Sequence, residues 1–456
     1  MPKSLTLFRC TECAYETPKW AGKCPNCESW STLQEVQKST PLPGRKISIS
    51  GRAKSLQRIE KGTLFGNERI FSGIHELDRV LGGGMMPDSL VLLTGDPGIG
   101  KSTLTLQWAL QIARKYPNEK IMIISAEESV PQISARAQRL GNVPENVFLL
   151  SEFLLENILA TVEAESPKFL ILDSVQTIAS GEVPSAPGSI SQIRTVTERI
   201  MHFIKQAKIP TVLIGHVTKS GDMAGPQVLA HLVDTVLYLE GDQFHQFRLL
   251  RSTKNRFGSV FEVGIFEMRE EGLMEVANPS EALLSGRLEN AVGSIIFPTI
   301  EGTRPFLIEV QALTSATNFG YPKRTATGID LNRLNLILAI LQRHADIKLD
   351  TSDVFGNVVG GFKVREPALD LPLALALASS KLKKAIPTKM IALGELGLSG
   401  EIRAISHLEK RLNEAEKLGF ASAVVGRDAM NRVSTKTTKL EIISGKTIGE
   451  VIQKVF

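Results

Sequence analysis

The middle of the chain carries short runs of consecutive apolar residues, separated by polar and glycine-bearing segments. Residues 90–94, 169–172 and 211–214 are such runs, and the segments KIMIIS and DTVLYLE are two more. Runs of about four to six residues without polar alternation are typical of strands buried on both faces of a parallel sheet. A longer segment with one apolar face follows the first run and predicts a helix. The pattern therefore predicts an open α/β sheet in this part of the chain.

From about residue 279 the pattern changes character. The segments SIIFPTIEG and PFLIEVQALTS read as strands, and residues 328–347 read as a helix with one apolar face. The stretch REPALDLPLALALAS, which begins at Arg365, leads from a turn into a second and more apolar helix. Strands followed by helices in this order predict a C-terminal α+β domain.

The chain has 456 residues, which is too long for one hydrophobic core and suggests roughly three folded units. Residues 36–66 are rich in Ser, Pro, Gly and basic residues and show weak periodicity, so they predict a linker or an adaptable arm. We expect a four-cysteine domain at residues 1–35, the linker at 36–66, the α/β domain at 67–278 and the C-terminal domain at 279–456.

Composition and charge place the chain among soluble globular proteins, with 43% hydrophobic and 22% charged residues. No apolar run approaches the roughly 20 residues that span a bilayer, and the first residues lack the apolar core of a signal peptide, so we expect a cytoplasmic protein with no membrane partner. Residues 1–66 hold eleven Lys and Arg against five Asp and Glu, a net of +6, which leaves 5 − 6 = −1 for the rest. This fits a nucleic-acid partner, and on charge alone a solvated basic linker fits equally well.

All cysteines of the chain lie near its start, at Cys10, Cys13, Cys24 and Cys27. Two CxxC turns of this spacing can place four thiolates around one tetrahedral ion. Four soft ligands favour a structural zinc ion, with iron as the alternative, and two disulfides in an exported domain are the less favoured interpretation. The segment is too short to fold on apolar burial, so the metal should supply much of its folding energy. We expect Trp20 and Trp30 to pack beside the site.

The first apolar run leads into GDPGIGKST, a full match to the phosphate-binding loop pattern G-x-x-x-x-G-K-[ST]. Its glycines let backbone N–H groups turn toward phosphate oxygens, and the following helix N-terminus favours negative charge. Lys101 should reach the β- and γ-phosphates of ATP, and the Ser102 hydroxyl should bind Mg²⁺. The residues expected to contact the nucleotide here are Gly95, Asp96, Pro97, Gly98, Ile99, Gly100, Lys101, Ser102 and Thr103.

Carboxylates follow two other predicted strands at the same edge of the sheet. Asp173 ends the run at 169–172 and should be the second protein ligand of Mg²⁺. Glu127 follows the strand in KIMIISAEES, where its carboxylate can orient or deprotonate the attacking water. A role beside a helix N-cap is the structural alternative for Glu127.

These motifs and their order resemble the RecA-like ATPases. The resemblance implies that His216, after the strand in TVLIGH, senses the γ-phosphate. It also implies a ring with ATP sites at subunit interfaces, where a neighbour supplies a cation. The segment KNRFG offers Lys254 and Arg256 for this catalytic role, with Phe257 beside them. Taken alone, the segment would read as an exposed basic hairpin.

The order of the cysteine pairs, IHELDRVLGGG, GDPGIGKSTL, SAEES, ILDSVQT and KNRFG resembles bacterial RadA, also called Sms, along essentially the whole chain. This resemblance implies a hexameric, DNA-dependent ATPase, a helicase-type motor in homologous recombination and DNA repair. Such a motor acts on single-stranded and branched DNA, promoting branch migration or strand extension with the RecA recombinase. An ATP-driven clamp or loader that binds DNA without moving is the alternative.

The C-terminal segment resembles the proteolytic domain of Lon, which uses a Ser and Lys dyad. The turn EPALD puts Ala368 where the serine would attack, and Glu409 stands at the lysine position with Lys410 one residue away. One residue along a helix rotates a side chain by about 100°, and alanine offers no nucleophilic atom, so we expect no peptidase activity. The segment KLKKAIPTK, with Arg403, Lys410 and Arg411, predicts a basic surface for DNA, or else plain solvated faces.

Overall fold

A computed structural model describes residues 6–13, 15–37, 69–216, 226–241, 247–317, 321–430 and 438–456. Apart from residues 36 and 37, the predicted linker lies outside these ranges. The chain divides into two units, residues 1–239 with 252–259, and residues 240–251 with 260–456. The predicted boundary at 279 differs from this division, because most of residues 240–278 group with the second unit. Among the described residues, no helix has the length and apolar character needed to cross a membrane.

The cysteine segment forms a small antiparallel sheet of three strands. They are β1 (Thr6–Cys10), β2 (Glu16–Thr17) and β3 (Leu33–Gln37), in the order β2-β1-β3. Its buried residues are Cys10, Cys24 and Leu33, so the core of this segment is made largely of the thiols themselves. Trp20 and Trp30 are 63% and 73% exposed, and the prediction that they pack beside the site is wrong. Both indole rings lie outside the buried cluster of Cys10, Cys24 and Leu33.

Six parallel strands of the first unit lie in the order β9-β4-β8-β7-β5-β6. They are β4 (Leu90–Gly95), β5 (Ile121–Ser125), β6 (Val147–Ser151), β7 (Phe169–Asp173), β8 (Thr211–Ile214) and β9 (Thr235–Glu240). All residues of β4, β5, β7 and β8 are buried, which is why their sequences carry no polar alternation. The predicted strands are confirmed.

Helices cover the faces of this sheet and bury their apolar stripes on it. They are α1 (His75–Leu81), α2 (Lys101–Lys115), α3 (Val130–Arg139), α4 (Leu155–Glu165), α5 (Ile190–Ala207) and α6 (Pro226–Leu232). Trp108 on α2 lies against Phe169 on β7, with ring centroids 5.4 Å apart. This contact fixes the helix that follows the phosphate-binding loop against a central strand.

An antiparallel meander precedes the C-terminal domain. It consists of β10 (Phe247–Asn255), β11 (Val263–Arg269) and β12 (Gly272–Glu275). Residues 252–255 of β10 belong to the first unit, and residues 247–251 belong to the second. The KNRFG segment therefore begins on the end of a strand rather than in a free loop.

The C-terminal domain is built on a mixed sheet in the order β15-β16-β14-β13-β17-β20-β21. Its strands, with the two-stranded pair β18 and β19, are β13 (Ser294–Glu301), β14 (Arg304–Ala316), β15 (Arg324–Thr327), β16 (Ser352–Val358), β17 (Met390–Ala392), β18 (Glu395–Leu396), β19 (Ile402–Arg403), β20 (Ser422–Gly426) and β21 (Glu441–Gly445). The helices are α7 (Pro279–Leu284), α8 (Leu331–His344), α9 (Asp370–Leu382), α10 (Leu408–Lys417), α11 (Arg427–Met430) and α12 (Ile448–Val455). Helix α9 is buried from Asp370 to Ser380, as its nearly continuous apolar sequence predicts.

The turn EPALD is a single 3-10 turn (Pro367–Leu369) that leads into α9. Ala368 is only 3% exposed and belongs to the hydrophobic core. The carboxylates on either side of the turn are paired, Glu366 with Arg411 at 2.5 Å and Asp370 with Arg333. The position that holds a nucleophile in Lon is therefore packed apolar structure, held between two ion pairs.

Arg411 is 1% exposed, so its predicted place on a basic DNA-facing surface is wrong. Its guanidinium donates to Glu366 and to the carbonyl oxygen of Pro298 at 2.6 Å, and it lies over the Phe297 ring. The partly buried carboxylate of Glu366, on a neighbouring element, pairs with this buried cation, and a count of charges along the helix does not reveal the pairing. Lys410 and Arg403 are exposed, as are the four lysines of KLKKAIPTK.

Candidate ATP and zinc sites

The four cysteine sulfurs come together as the spacing predicts. The Cys10 and Cys27 sulfurs are 3.6 Å apart, and so are those of Cys13 and Cys24. All four lie within 4.8 Å of one another. Tetrahedral zinc with bonds of about 2.3 Å separates its sulfurs by about 3.8 Å, so the donor set fits the ion.

The thiols differ in how readily they ionise. Burial opposes ionisation of Cys10, but hydrogen bonds with the Thr32 side chain and with the backbone at Cys13 and Glu12 outweigh it and lower the pKa of Cys10 to about 6. Burial, with the neighbouring Cys27 and Cys10, raises the pKa of Cys13 to about 12. Four thiolates this close need a cation to hold them together, and Zn²⁺ would supply that charge when bound.

Removing one zinc ligand should unfold this segment alone. We expect Cys24→Ser to lower bound zinc from about one ion per chain to nearly none, because the sulfurs form most of the core here. Metal content, measured by atomic absorption, and the fluorescence of Trp20 and Trp30 report the change. Ser29→Ala, in the same segment but outside the ligand set, should keep the metal, and a zinc content unchanged in Cys24→Ser would contradict the assignment.

The phosphate-binding loop connects β4 to α2, as predicted. Gly95 has a φ of +149°, and a Cβ there would lie 2.2 Å from the carbonyl oxygen of Leu239, so the position accepts only glycine without rearrangement. Gly100 is the N-cap of α2 with a φ of +113°. The loop thereby turns its backbone toward the start of the helix, where anions bind.

Lys101 is 4% exposed and folds back over its own loop. Its Nζ donates to the carbonyl oxygens of Gly95 and Asp96, both at 2.9 Å. Burial lowers the pKa of Lys101, while the charges of Asp173, Asp96 and Glu127 oppose this change. A phosphate in the loop would offer this buried cation a better partner than two neutral carbonyls.

Asp173 ends β7 opposite Ser125 on β5. The carboxylate is 7% exposed, and its Oδ1 lacks a hydrogen-bond partner among the described residues. Burial raises the pKa of Asp173, and a hydrogen bond with Ser102 opposes this effect. An orphaned buried carboxylate oxygen beside a hydroxyl fits the two protein ligands predicted for Mg²⁺.

Glu127 lies next to both Asp173 and His216, and the three offer ligand atoms within 4.8 Å of one another. The Nε2 of His216 is 3.5 Å from the Glu127 Oε1, and the Ser174 hydroxyl donates to the same carboxylate. These contacts, His216 first, hold the pKa of Glu127 below its usual value. Glu127 is thus a carboxylate at neutral pH, the form that a base for water requires.

Lys254 and Arg256 are engaged within their own chain. The Lys254 Nζ donates to the carbonyl oxygens of Ala230 at 2.7 Å and Val233 at 2.8 Å, at the end of α6. Arg256 is about half exposed, and its Nη1 is 3.3 Å from Asp234. Arg256 is therefore the more accessible of the two cations, and the action of both on a neighbouring subunit stays a prediction.

The KNRFG segment is anchored to the glycines that follow α1. Arg69 donates to the carbonyl oxygens of Phe257 at 2.6 Å and Gly84 at 3.0 Å. A Cβ on Gly82 would lie 3.0 Å from the Cα of Gly258, so the two backbones meet without side chains between them. The motif LGGG thus fixes the loop that carries Arg256.

Sequence reasoning assigned no specific role to several polar residues that hold this site together. Ser174 contacts Glu127, and Gln176 donates to the backbone oxygen of His216 at 3.3 Å. Glu128 pairs with Arg136 on α3. The motifs SAEES and LDSVQ contain Glu128, Ser174 and Gln176, but Arg136 lies in no motif and only the fold brings it here.

Three family profiles match separate parts of the chain. The AAA domain profile matches residues 59–222, the rubredoxin metal binding domain matches 8–35, and the profile of subunit ChlI of Mg-chelatase matches 338–429. A solved KaiC-like protein from Pyrococcus horikoshii OT3 aligns with 46% of this chain and 98% of its own, at 22% identity and a TM-score of 0.39. The sheet, its site and the matched profiles define a RecA-like P-loop ATPase with a zinc ribbon and a Lon-like C-terminal domain.

Proteins that are similar to this chain over its whole length identify its family within this class of ATPases. The DNA repair protein RadA of Streptococcus pyogenes serotype M6 is 43% identical over 456 residues, covering 100% of both chains. RadA of Listeria monocytogenes is 44% identical over 99% of this chain and 98% of its own, and RadA of Bacillus subtilis is 43% identical over 99% of each. The chain belongs to the RadA family of DNA repair proteins.

Proposed function

We propose that this protein is a DNA-dependent ATPase of the helicase type that acts in homologous recombination and repair. It moves along single-stranded or branched DNA and promotes branch migration or strand extension together with the RecA recombinase. The observation that carries the proposal is the convergence of Lys101, Ser102, Asp173 and Glu127 on one edge of the sheet. ATP hydrolysis needs this full set, whereas nucleotide binding alone does not need Glu127.

In the proposed reaction, the Glu127 carboxylate accepts a proton from water while the water oxygen attacks the γ-phosphorus. The bond from that phosphorus to the bridging oxygen breaks, which gives ADP and phosphate. Lys101 and the loop N–H groups hold the phosphate oxygens in this proposal, and His216, beside Glu127, senses the γ-phosphate. Mg²⁺, held by Ser102 and Asp173, would neutralise charge on the β- and γ-phosphates.

The proposal includes a homo-oligomeric ring, with a hexamer as the expected form. Arg256 extends from a loop fixed on both sides, with its guanidinium about half exposed. An exposed, positioned arginine is suited to reach the phosphates of a neighbouring subunit, with Lys254 beside it. DNA contacts are expected from exposed cations of the C-terminal domain, which include Lys381, Lys383, Lys384, Lys389, Arg403 and Lys410.

A strand-displacement assay on forked DNA tests the motor. We expect the wild type to release the displaced strand when ATP is added, and Lys254→Ala to lose most of this activity while still binding the fork. Lys208→Ala, which removes a lysine beyond the end of α5, serves as the control and should displace the strand normally. Tight DNA binding by the wild type with no displacement at any ATP concentration would refute the motor and favour the ATP-driven clamp or loader.

A further inference from the structure

Arg136 approaches the nucleotide edge of the sheet from α3 and is not explained by the hydrolysis scheme. Its Nη2 pairs with the carboxylate of Glu128, the residue after the proposed base. The backbone N–H groups of Glu127 and Glu128 both donate to the Ser125 hydroxyl, at 3.2 and 2.9 Å. The ion pair is therefore attached to the same short loop that carries Glu127.

Arg136 shares a small cavity with Ser102 and Asp173, the two proposed Mg²⁺ ligands. A cavity of about 10 Å³ is lined by Arg136, Ser102, Thr105 and Asp173, together with apolar side chains. This volume fits about one water molecule. Two groups that lack partners belong to these lining residues, the Arg136 Nε and the Asp173 Oδ1. A buried donor and a buried acceptor around so small a space fit one bridging water.

We propose that Glu128 and Arg136 are positioning residues that set the Mg²⁺ affinity of the site. Glu128 pairs with the Nη2 of Arg136, and Arg136 and Asp173 line the same small cavity. A guanidinium freed from Glu128 could turn toward the orphaned Asp173 oxygen and pair with it directly. Direct pairing would occupy the carboxylate that Mg²⁺ needs, because a cation and a metal ion compete for the same oxygen.

The proposal rests on the Mg²⁺ site of the proposed function, and its key test is a double-mutant cycle. The measured quantity is the Mg²⁺ concentration that half-saturates tight binding of a fluorescent ATP analogue, which requires no turnover. We expect Glu128→Gln to raise this concentration about tenfold, since it frees Arg136 but leaves its charge. In the Arg136→Met background, Glu128→Gln should change this Mg²⁺ concentration by no more than about twofold, because no guanidinium remains to compete with Mg²⁺ for Asp173.

Conservative and matched variants separate positioning from loss of folding. Glu128→Asp keeps the charge and should stay within about twofold of the wild type. Glu156→Gln breaks a similar pair with Arg199, whose other partners are Ser180 and Glu182, and should leave Mg²⁺ dependence unchanged. The inference is overturned if Glu128→Gln needs no more Mg²⁺ than the wild type, or if its effect is equally large without Arg136. Analogue binding by the wild type that ignores Mg²⁺ would instead refute the Ser102 and Asp173 assignment on which it rests.

Discussion

Lys101→Ala is expected to lower ATP turnover at least about 100-fold, because single preorganised contacts to the reacting group are worth that much in buried sites. The buried ammonium of Lys101 donates to the backbone oxygens of Gly95 and Asp96, and the charges of Asp173, Asp96 and Glu127 act on it. Its loss removes positive charge from the place where negative charge develops on the phosphate. Phosphate release in the presence of single-stranded DNA measures the effect.

A control on the same helix makes this result specific. Lys115, at the other end of α2, lies over the Phe71 ring, and Lys115→Ala removes a lysine without approaching the loop. We expect Lys115→Ala to turn over ATP at close to the wild-type rate. The midpoint of thermal unfolding should be the same as that of the wild type for both Lys101→Ala and Lys115→Ala. Full turnover by Lys101→Ala would show that the loop is not the hydrolytic site.

The sequence was sufficient to predict the features that depend on short-range patterns. Unbroken apolar runs predict the buried strands. The loop between β4 and α2 is predicted by the fixed spacing of its glycines and Lys101. The CxxC spacing likewise predicts the cluster of four sulfurs, because each CxxC turn sets the separation of its own two sulfurs. Because β5 and β7 are parallel neighbours, their ends place Asp173 opposite Ser125.

Contacts between distant segments could not be read from such patterns. Arg411 looks like one of several surface cations on α10, and only the position of Glu366 on another element shows that it is buried. Trp20 and Trp30 were expected to pack beside the cysteine site, but both are largely exposed and lie outside the buried cluster of Cys10, Cys24 and Leu33. Arg136 comes to the cavity that Ser102 and Asp173 line because α3 packs against α2 and β6, and local sequence does not specify that packing.

Arg256→Ala is expected to lower the kcat of ATP turnover about 10³-fold if the guanidinium completes a neighbour's site, as an arginine supplied in trans does in phosphoryl transfer. The loop should keep its shape, because Arg69 and Asn255 hold it through bonds that do not involve the Arg256 side chain. Turnover is measured in the presence of DNA. Arg194→Ala, which removes an exposed arginine paired with Glu198 on α5, is the control and should remain fully active.

Mixing two inactive proteins distinguishes action in trans from action in cis. Lys101→Ala subunits retain Arg256, and Arg256→Ala subunits retain a complete phosphate-binding loop. In an equal mixture, one half times one half, or about a quarter, of the interfaces in a ring combine an intact loop with an intact arginine. Turnover should therefore recover to about a quarter of the wild-type rate after the subunits exchange. If Arg256 served its own chain, every subunit in the mixture would carry one defect and no recovery would occur, which would place the ATP site within a single subunit.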